Sequence, residues 1–361
     1  MDVGMSVYFQ SPSYLEEEND GLGTSDHQLY REELSLAAMA EPLGFDSIWS
    51  VEHHFTGYTM TPGVLQFLAY MAGSTTSITI GSMVVVLPWH NPARVAGEVA
   101  MLDNLSGGRF VLGLGRGLGR IEFDGLSVPM DESRGRFVEA AELLLQGLEQ
   151  GYIEYSGEYF TQERRSIRPA PVRSFRGRTY AAAVSPESLE IMARLGVGLL
   201  VVPQKPWEQT VTELDAYGEM FRELNGHEPP LPIVACQIYC DEDGDRAETL
   251  GERYICNYYA SVLKHYELGG DHFAETKGYE YYKNIAASIQ EHGDEEAKHY
   301  YTNLHVYGTP DECVDKIADI RDKVGCDHFI GVFRYGGIEY DDALRNLRLF
   351  KDKVQPRVKA M

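Results

Sequence analysis

Ser77-Ile78-Thr79-Ile80-Gly81-Ser82-Met83-Val84-Val85-Val86-Leu87 is β-branched and almost wholly apolar, the composition expected of a strand buried on both faces. Pro92 to Leu105 follows it as a helix with proline in its first turn. Strands buried on both faces belong to parallel sheets, and parallel neighbours need crossover helices. The alternation continues in both directions from this unit. Towards the N-terminus, Val3 to Phe9 and Asp46 to Val51 read as strands around a helix at Gln28 to Leu43. Towards the C-terminus come a strand at Arg109 to Gly115, a helix at Arg134 to Gly151 and a small hairpin around Tyr155 to Phe160. Strands at Arg178 to Val184, Gly198 to Val202, Leu231 to Cys240 and Asp327 to Phe333 complete a set of eight. Their helices include Ser188 to Leu195, Trp207 to Leu224 and Asp341 to Val354.

Eight such strands predict an α/β protein, a (β/α)8 TIM barrel, with an open doubly wound sheet as the competing architecture. With no repeat or low-complexity linker, residues 1–361 read as one domain. Between the seventh and eighth strands lies a long polar and aromatic insertion, about residues 265–307, containing Tyr279, Tyr281 and Tyr282. A connection of that length inside a compact domain predicts a lid or binding loop.

The bulk composition removes several function classes. Hydrophobic residues make up 43% and charged residues 24% of the chain, and no apolar run is long enough to cross a bilayer. A net charge of -23 disfavours nucleic acid as a partner, because the average field repels phosphates. Met1 to Ser6 lacks the basic-then-apolar pattern of a secretory signal. Five cysteines without Cys-x-x-Cys spacing predict free thiols and a cytoplasmic protein.

Chemistry concentrates in three places. Gly44-Phe45-Asp46-Ser47-Ile48-Trp49-Ser50-Val51-Glu52-His53-His54-Phe55 carries an acid and two imidazoles past the second strand, at the barrel face where catalytic groups gather. Adjacent residues alternate in direction, so only one histidine should face the barrel mouth; a pair of hydrogen-bonded structural histidines is the competing reading. Neither an i, i+4 histidine pair nor a cysteine set accompanies them, so no metal is expected. Gly107-Gly108-Arg109-Phe110-Val111-Leu112-Gly113-Leu114-Gly115-Arg116-Gly117-Leu118-Gly119-Arg120 offers close backbone approach and, in Arg116 and Arg120, multidentate donors for a phosphate. It is not a dinucleotide fingerprint, because the third glycine is misplaced and no suitable helix opens there. At Ala183-Val184-Ser185-Pro186-Glu187-Ser188-Leu189 a strand gives way to a helix. There Ser185 and Ser188 suit either an N-cap or a phosphate cup, two compatible roles.

Taken in order, these segments resemble the bacterial luciferase-like flavin monooxygenases, and most nearly the catalytic α subunits among them. The resemblance runs through nearly the whole chain. It includes Phe45-Asp46 to Phe55, Gly81 to Pro88, Asn91-Pro92-Ala93-Arg94, Leu102-Asp103-Asn104-Leu105-Ser106-Gly107-Gly108-Arg109-Phe110 and Gly308-Thr309-Pro310-Asp311-Glu312-Cys313. The resemblance implies that His53 is the essential histidine beside the isoalloxazine ring, and Glu52, its neighbour in the chain, is expected to be a catalytic polar supporter. It implies that Arg116, Ser185 and Ser188 hold the flavin phosphate, that the backbone of Leu118 meets the ring, and that Met83-Val84 is a cis peptide beneath it. Lys277, Tyr279 and Lys283 match a mobile lid, which the non-catalytic subunits largely lack.

The implied activity is a two-component oxygenase. A separate NAD(P)H-dependent flavin reductase supplies reduced FMN, oxygen adds to it to give a C4a-peroxide, and a lipophilic carbonyl substrate is oxygenated. A homodimer or heterodimer is also implied. Three departures weaken any expectation of light emission: Gly115 stands where luciferase has a reactive cysteine, Val184 replaces an acid, and Asn91 replaces a second histidine. Two alternatives remain at this point, a deazaflavin-dependent dehydrogenase and a flavin-binding subunit partner without turnover.

Overall fold

The computed structural model describes residues 1–15, 25–182, 185–270, 272–279, 281–283, 286 and 293–361. Eight strands form the barrel: β1 (Asp2–Val7), β2 (Ser47–Ser50), β3 (Thr79–Ser82), β4 (Phe110–Gly115), β5 (Thr179–Ala182), β6 (Gly198–Val201), β7 (Ile233–Cys240) and β8 (His328–Val332). Each lies parallel to its neighbours, from Gly4 opposite Ser47 to Tyr180 opposite Gly198. Pairing of β6 with β7, at Leu200 and Ile233, and of β8 with β1 closes the ring. The closed parallel barrel is the architecture expected, and the open sheet is excluded.

Closure depends on small residues where large ones point inward. Trp49 of β2 is fully buried, and a Cβ on Gly81 of the adjoining strand would overlap its indole. Gly113 of β4 passes so near the Ser82 carbonyl that a Cβ would collide with backbone. The glycines of the Gly107 to Arg120 stretch therefore begin as packing devices.

The helix Pro92–Leu105 opens with Asn91 as N-cap, its side chain accepting from the Ala93 and Arg94 amides. Asp103 on that helix is wholly buried and accepts from both Arg178 Nη atoms at 2.6 and 3.1 Å. Arg109 donates to carbonyls of Ala72, Thr75, Ile78 and Ser106. The Leu102 to Phe110 motif thus stitches helices to strand entrances. The Gly308 to Cys313 motif is likewise structural, a capping box between Thr309 and Glu312 that starts the helix Pro310–Val324.

Helices that escape the sequence pattern include Val64–Ser74, Gly244–Tyr266, Pro310–Val324 and a short one, Arg120–Gly125, that opens at the end of the glycine-rich stretch where none was expected. The insertion before β8 is not loop throughout, since it contains helices at His272–Glu275 and Asp294–Thr302 and a short strand, Val306–Gly308, paired with β7. All five cysteines are unpaired. The acidic run Glu16-Glu17-Glu18 and the departure at Val184 lie outside the described residues.

Candidate active site

A cavity of about 610 Å³ opens at the C-terminal ends of the barrel strands, a size typical of small-ligand sites. Its wall gathers Glu52, His53, Met83, Val84, Arg116, Leu118, Ser185 and Ser188, residues drawn from four separate stretches of chain.

His53 sits on the loop after β2 and faces the cavity, whereas its neighbour His54 does not line it. His53 Nδ1 lies 2.9 Å from Glu122 Oε1, which also accepts from the His54 amide at 2.9 Å. Its Nε2 lies 3.3 Å from the Tyr266 hydroxyl. The other carboxylate oxygen of Glu122 is 3.4 Å from His265 Nε2. Burial alone would raise the pKa of Glu122, but His53 and His265 outweigh it and hold the carboxyl down at about 2. An ionised carboxylate can only accept, so His53 Nδ1 carries a proton, and in the neutral ring the lone pair is then on Nε2, towards Tyr266. His265 is itself kept low by burial despite Glu122, and its Nδ1 bonds Thr56 Oγ1 at 2.9 Å. Donor atoms of His53, Glu122 and His265 all lie within 4.8 Å of one another, the sole such group among the described residues. The hydrogen bonds just described engage both His53 nitrogens and one Glu122 oxygen.

Glu52 is not the carboxylate on His53. Its Oε1 receives His90 Nε2 at 2.6 Å and His54 Nε2 at 3.1 Å, and its Oε2 accepts the Val86 amide at 2.8 Å. Burial opposes ionisation of Glu52, but these partners overcome it and lower its pKa. Its work is to anchor the segment after β3, where the Met83–Val84 peptide is cis. Gly115, at the end of β4, faces Val84 so closely that a Cβ there would overlap the valine side chain. Gly117 follows with a φ of +85°, a left-handed turn that favours glycine.

A cationic pole lies beside this apolar wall. Arg116 Nη1 donates to the Gly278 carbonyl at 2.6 Å, and Arg134 Nη2 donates to the same oxygen at 3.0 Å. Arg134 Nε is buried without a hydrogen-bond partner. Ser185 caps the helix Pro186–Leu195, and its hydroxyl is 2.9 Å from that of Ser188. Two guanidiniums, two hydroxyls and a helix N-terminus make a donor set suited to a phosphate dianion.

Of the residues expected in the lid, Tyr279 is fully buried beneath Arg116, whose guanidinium lies 4.1 Å from its ring centroid. Its hydroxyl donates to the Gly117 carbonyl at 2.9 Å and meets Ser133 Oγ at 3.0 Å. Lys277 and Lys283 are exposed and do not line the cavity. Arg120 is also turned away, paired on the surface with Glu267 at 2.8 Å.

Sequence reasoning missed Glu122, Arg134 and His265. Glu122 lies 69 residues from His53, so no spacing links them; the only sequence signal is an acid between Ile121 and Phe123. Arg134 had a clearer one, as the first arginine of a basic helix start, Arg134-Gly135-Arg136.

Residues 1–328 match the family model described as luciferase-like monooxygenase. The chain belongs to this family of flavin-dependent monooxygenases. The alkanal monooxygenase alpha chain of Aliivibrio fischeri is 28% identical over 323 residues, 88% of this chain and 90% of that protein. Monooxygenase RslO1 from Streptomyces bottropensis superposes with a TM-score of 0.80 at 26% identity, covering 99% of each chain. The oxygenating constituent of 3,6-diketocamphane monooxygenase from Pseudomonas putida, solved with FMN, gives 0.74 at 17% identity over 99% and 98% of the two chains. An F420-dependent secondary alcohol dehydrogenase gives 0.69 at 17% identity over the same shares. The latter two share the barrel fold with this chain.

Proposed function

We propose that this luciferase-like protein binds reduced FMN and uses oxygen to oxygenate a lipophilic carbonyl compound, without a commitment to light emission. The observation that carries the reading is one cavity whose wall carries a phosphate-type donor set, the apolar Met83 and Val84, and His53 hydrogen-bonded through Nδ1 to Glu122. Reduced flavin, when bound, supplies the electrons that activate oxygen. The chain's own residues do the rest. Arg116, Arg134, Ser185 and Ser188 hold the phosphate, the Met83 to Val86 segment and Leu118 support the ring, and Glu52 fixes that segment through the Val86 amide. His53 accepts or returns a proton at Nε2 while Glu122 stabilises the charged imidazole. The insertion, through Tyr281, Tyr282 and Tyr301 on the cavity wall, excludes water as a lid.

The proposal extends to a separate NAD(P)H-dependent flavin reductase, to a dimer, and to cytoplasmic residence, which the unpaired thiols favour. Among the described residues no helix is long and apolar enough to cross a membrane.

The test is turnover with a flavin reductase under ¹⁸O₂ over a panel of aldehydes and ketones. One labelled oxygen in the product supports the proposal. Hydride transfer from a reduced deazaflavin without oxygen uptake would replace it with the dehydrogenase reading. Tight flavin binding with neither reaction would leave a non-catalytic flavoprotein.

A further inference from the structure

The cavity is lined in part by aliphatic side chains such as Leu199, Val202 and Leu214, and two further stretches of its wall have unlike chemistry. Strands β3, β4 and β5 contribute the cis-peptide segment, Gly115, Arg116 and Ser185. Across the barrel, the end of β1, the loop after β2, the helix Gly244–Tyr266 and the insertion contribute tyrosines. Tyr8, Tyr58, Tyr258, Tyr259, Tyr266 and Tyr301 all line the cavity from that side. Their rings form a continuous surface. Tyr259 and Tyr301 stack with centroids 4.3 Å apart and planes 18° apart. Tyr58 and Tyr258 stack at 6.1 Å and 29°, Tyr258 lies 6.4 Å from Tyr301, and Tyr8 lies 5.8 Å from Tyr258.

Two hydroxyl contacts lie within this surface. Tyr58 and Tyr258 are 3.0 Å apart at oxygen, and Tyr301 OH reaches Gln237 Oε1 at 3.5 Å. Burial pushes the phenols of Tyr58, Tyr258, Tyr266 and Tyr301 well up, so they remain neutral and can both donate and accept. An alkyl chain needs only shape and apolar area, which leucine and valine supply without buried hydroxyls that demand partners. Planar aromatic ligands gain from ring faces and edges, and oxygen substituents on such a ligand can bond to these hydroxyls.

We infer that the carbonyl substrate of this site is a planar, oxygen-substituted aromatic compound of two or more fused rings rather than a long-chain alkanal. The inference rests on the oxygenase reading for the carbonyl group alone; the ring preference follows from the tyrosine wall.

Two aldehydes of similar carbon count separate the possibilities, 6-hydroxy-2-naphthaldehyde and n-decanal. Calorimetric titration of the flavin-free protein with each should show the naphthaldehyde binding about tenfold more tightly or better. Tyr301→Leu, which keeps apolar bulk, should lower naphthaldehyde affinity about tenfold, while Tyr301→Phe, which keeps the ring, should lower it about threefold or less. Decanal affinity should stay within about twofold in both variants. Equal or tighter binding of decanal by the wild type, or equal losses of both aldehydes in Tyr301→Leu, would overturn the inference. Reduced FMN affinity, measured on the same samples, reports separately on the flavin reading. Loss of FMN binding with an intact naphthyl preference would refute the cofactor and not the ring preference.

Discussion

Replacing Glu122 with glutamine probes the least exposed part of the site. The carboxylate accepts from His53 Nδ1 and the His54 amide at 2.9 Å each and faces His265 at 3.4 Å. Its depression from 4.5 to about 2 corresponds to roughly 3 kcal/mol of preference for the ionised form in the folded protein. Because the folded pKa lies below the unfolded one, this stabilisation is present above about pH 4.5 and is lost as pH falls towards 2. Glu122→Gln keeps the volume and one acceptor but not the charge, so urea midpoints near pH 7 should show a loss of about 1.5–3 kcal/mol. The gap between wild type and variant should narrow as the pH drops below about 4.5. The amide can also donate to Nδ1, which allows the opposite tautomer and removes the lone pair from Nε2. Oxygenation coupled to flavin oxidation should therefore fall by about 10²–10⁴-fold while reduced FMN affinity changes little. Wild-type coupling in Glu122→Gln, or a stability gap independent of pH between 7 and 3, would refute the reasoning.

Three further changes test other parts of the account. Arg116→Ala should weaken reduced FMN by about 1.5–3 kcal/mol and leave reduced riboflavin unaffected, as read by anaerobic calorimetry, because only the phosphate uses the guanidinium. Asp103→Ala strands Arg178 in the interior and should cost about 3–5 kcal/mol in urea denaturation, with no direct effect on the distant cavity. Gly115→Ala forces a methyl into Val84 and should destabilise by about 1–3 kcal/mol. A second change, Val84→Ala, should recover most of that loss; additive losses would show that the two positions do not share space.

The barrel was legible because its signals are local. The apolar run Ser77 to Leu87 marks a buried strand, although the chain divides it into Thr79–Ser82 and Val85–Val86 around the cis Met83–Val84 peptide, and Pro92 marks the start of a helix in the residues themselves. The helices Val64–Ser74 and Gly244–Tyr266 were not, since glycines and scattered tyrosines blur their periodicity and tertiary packing decides them. Of the site, His53 and Arg116 stand out by residue type and place at strand ends. Glu122, Arg134 and His265 do not, because Glu122 and Arg134 reach the cavity wall, and His265 reaches Glu122 behind it, through tertiary contacts over 69 residues and more. The role of Glu52 was misjudged for a related reason. Proximity in sequence suggested support for His53, whereas the loop turns its carboxylate towards His54, His90 and the Val86 amide.

Anaerobic titration of the protein with reduced FMN, set beside reduced riboflavin, tests the central claim most directly. The account predicts saturable binding of one reduced FMN per chain and riboflavin binding weaker by about 2 kcal/mol or more, the scale of charge-assisted phosphate contacts. Equal affinity for the two flavins, or no binding of either, would contradict it.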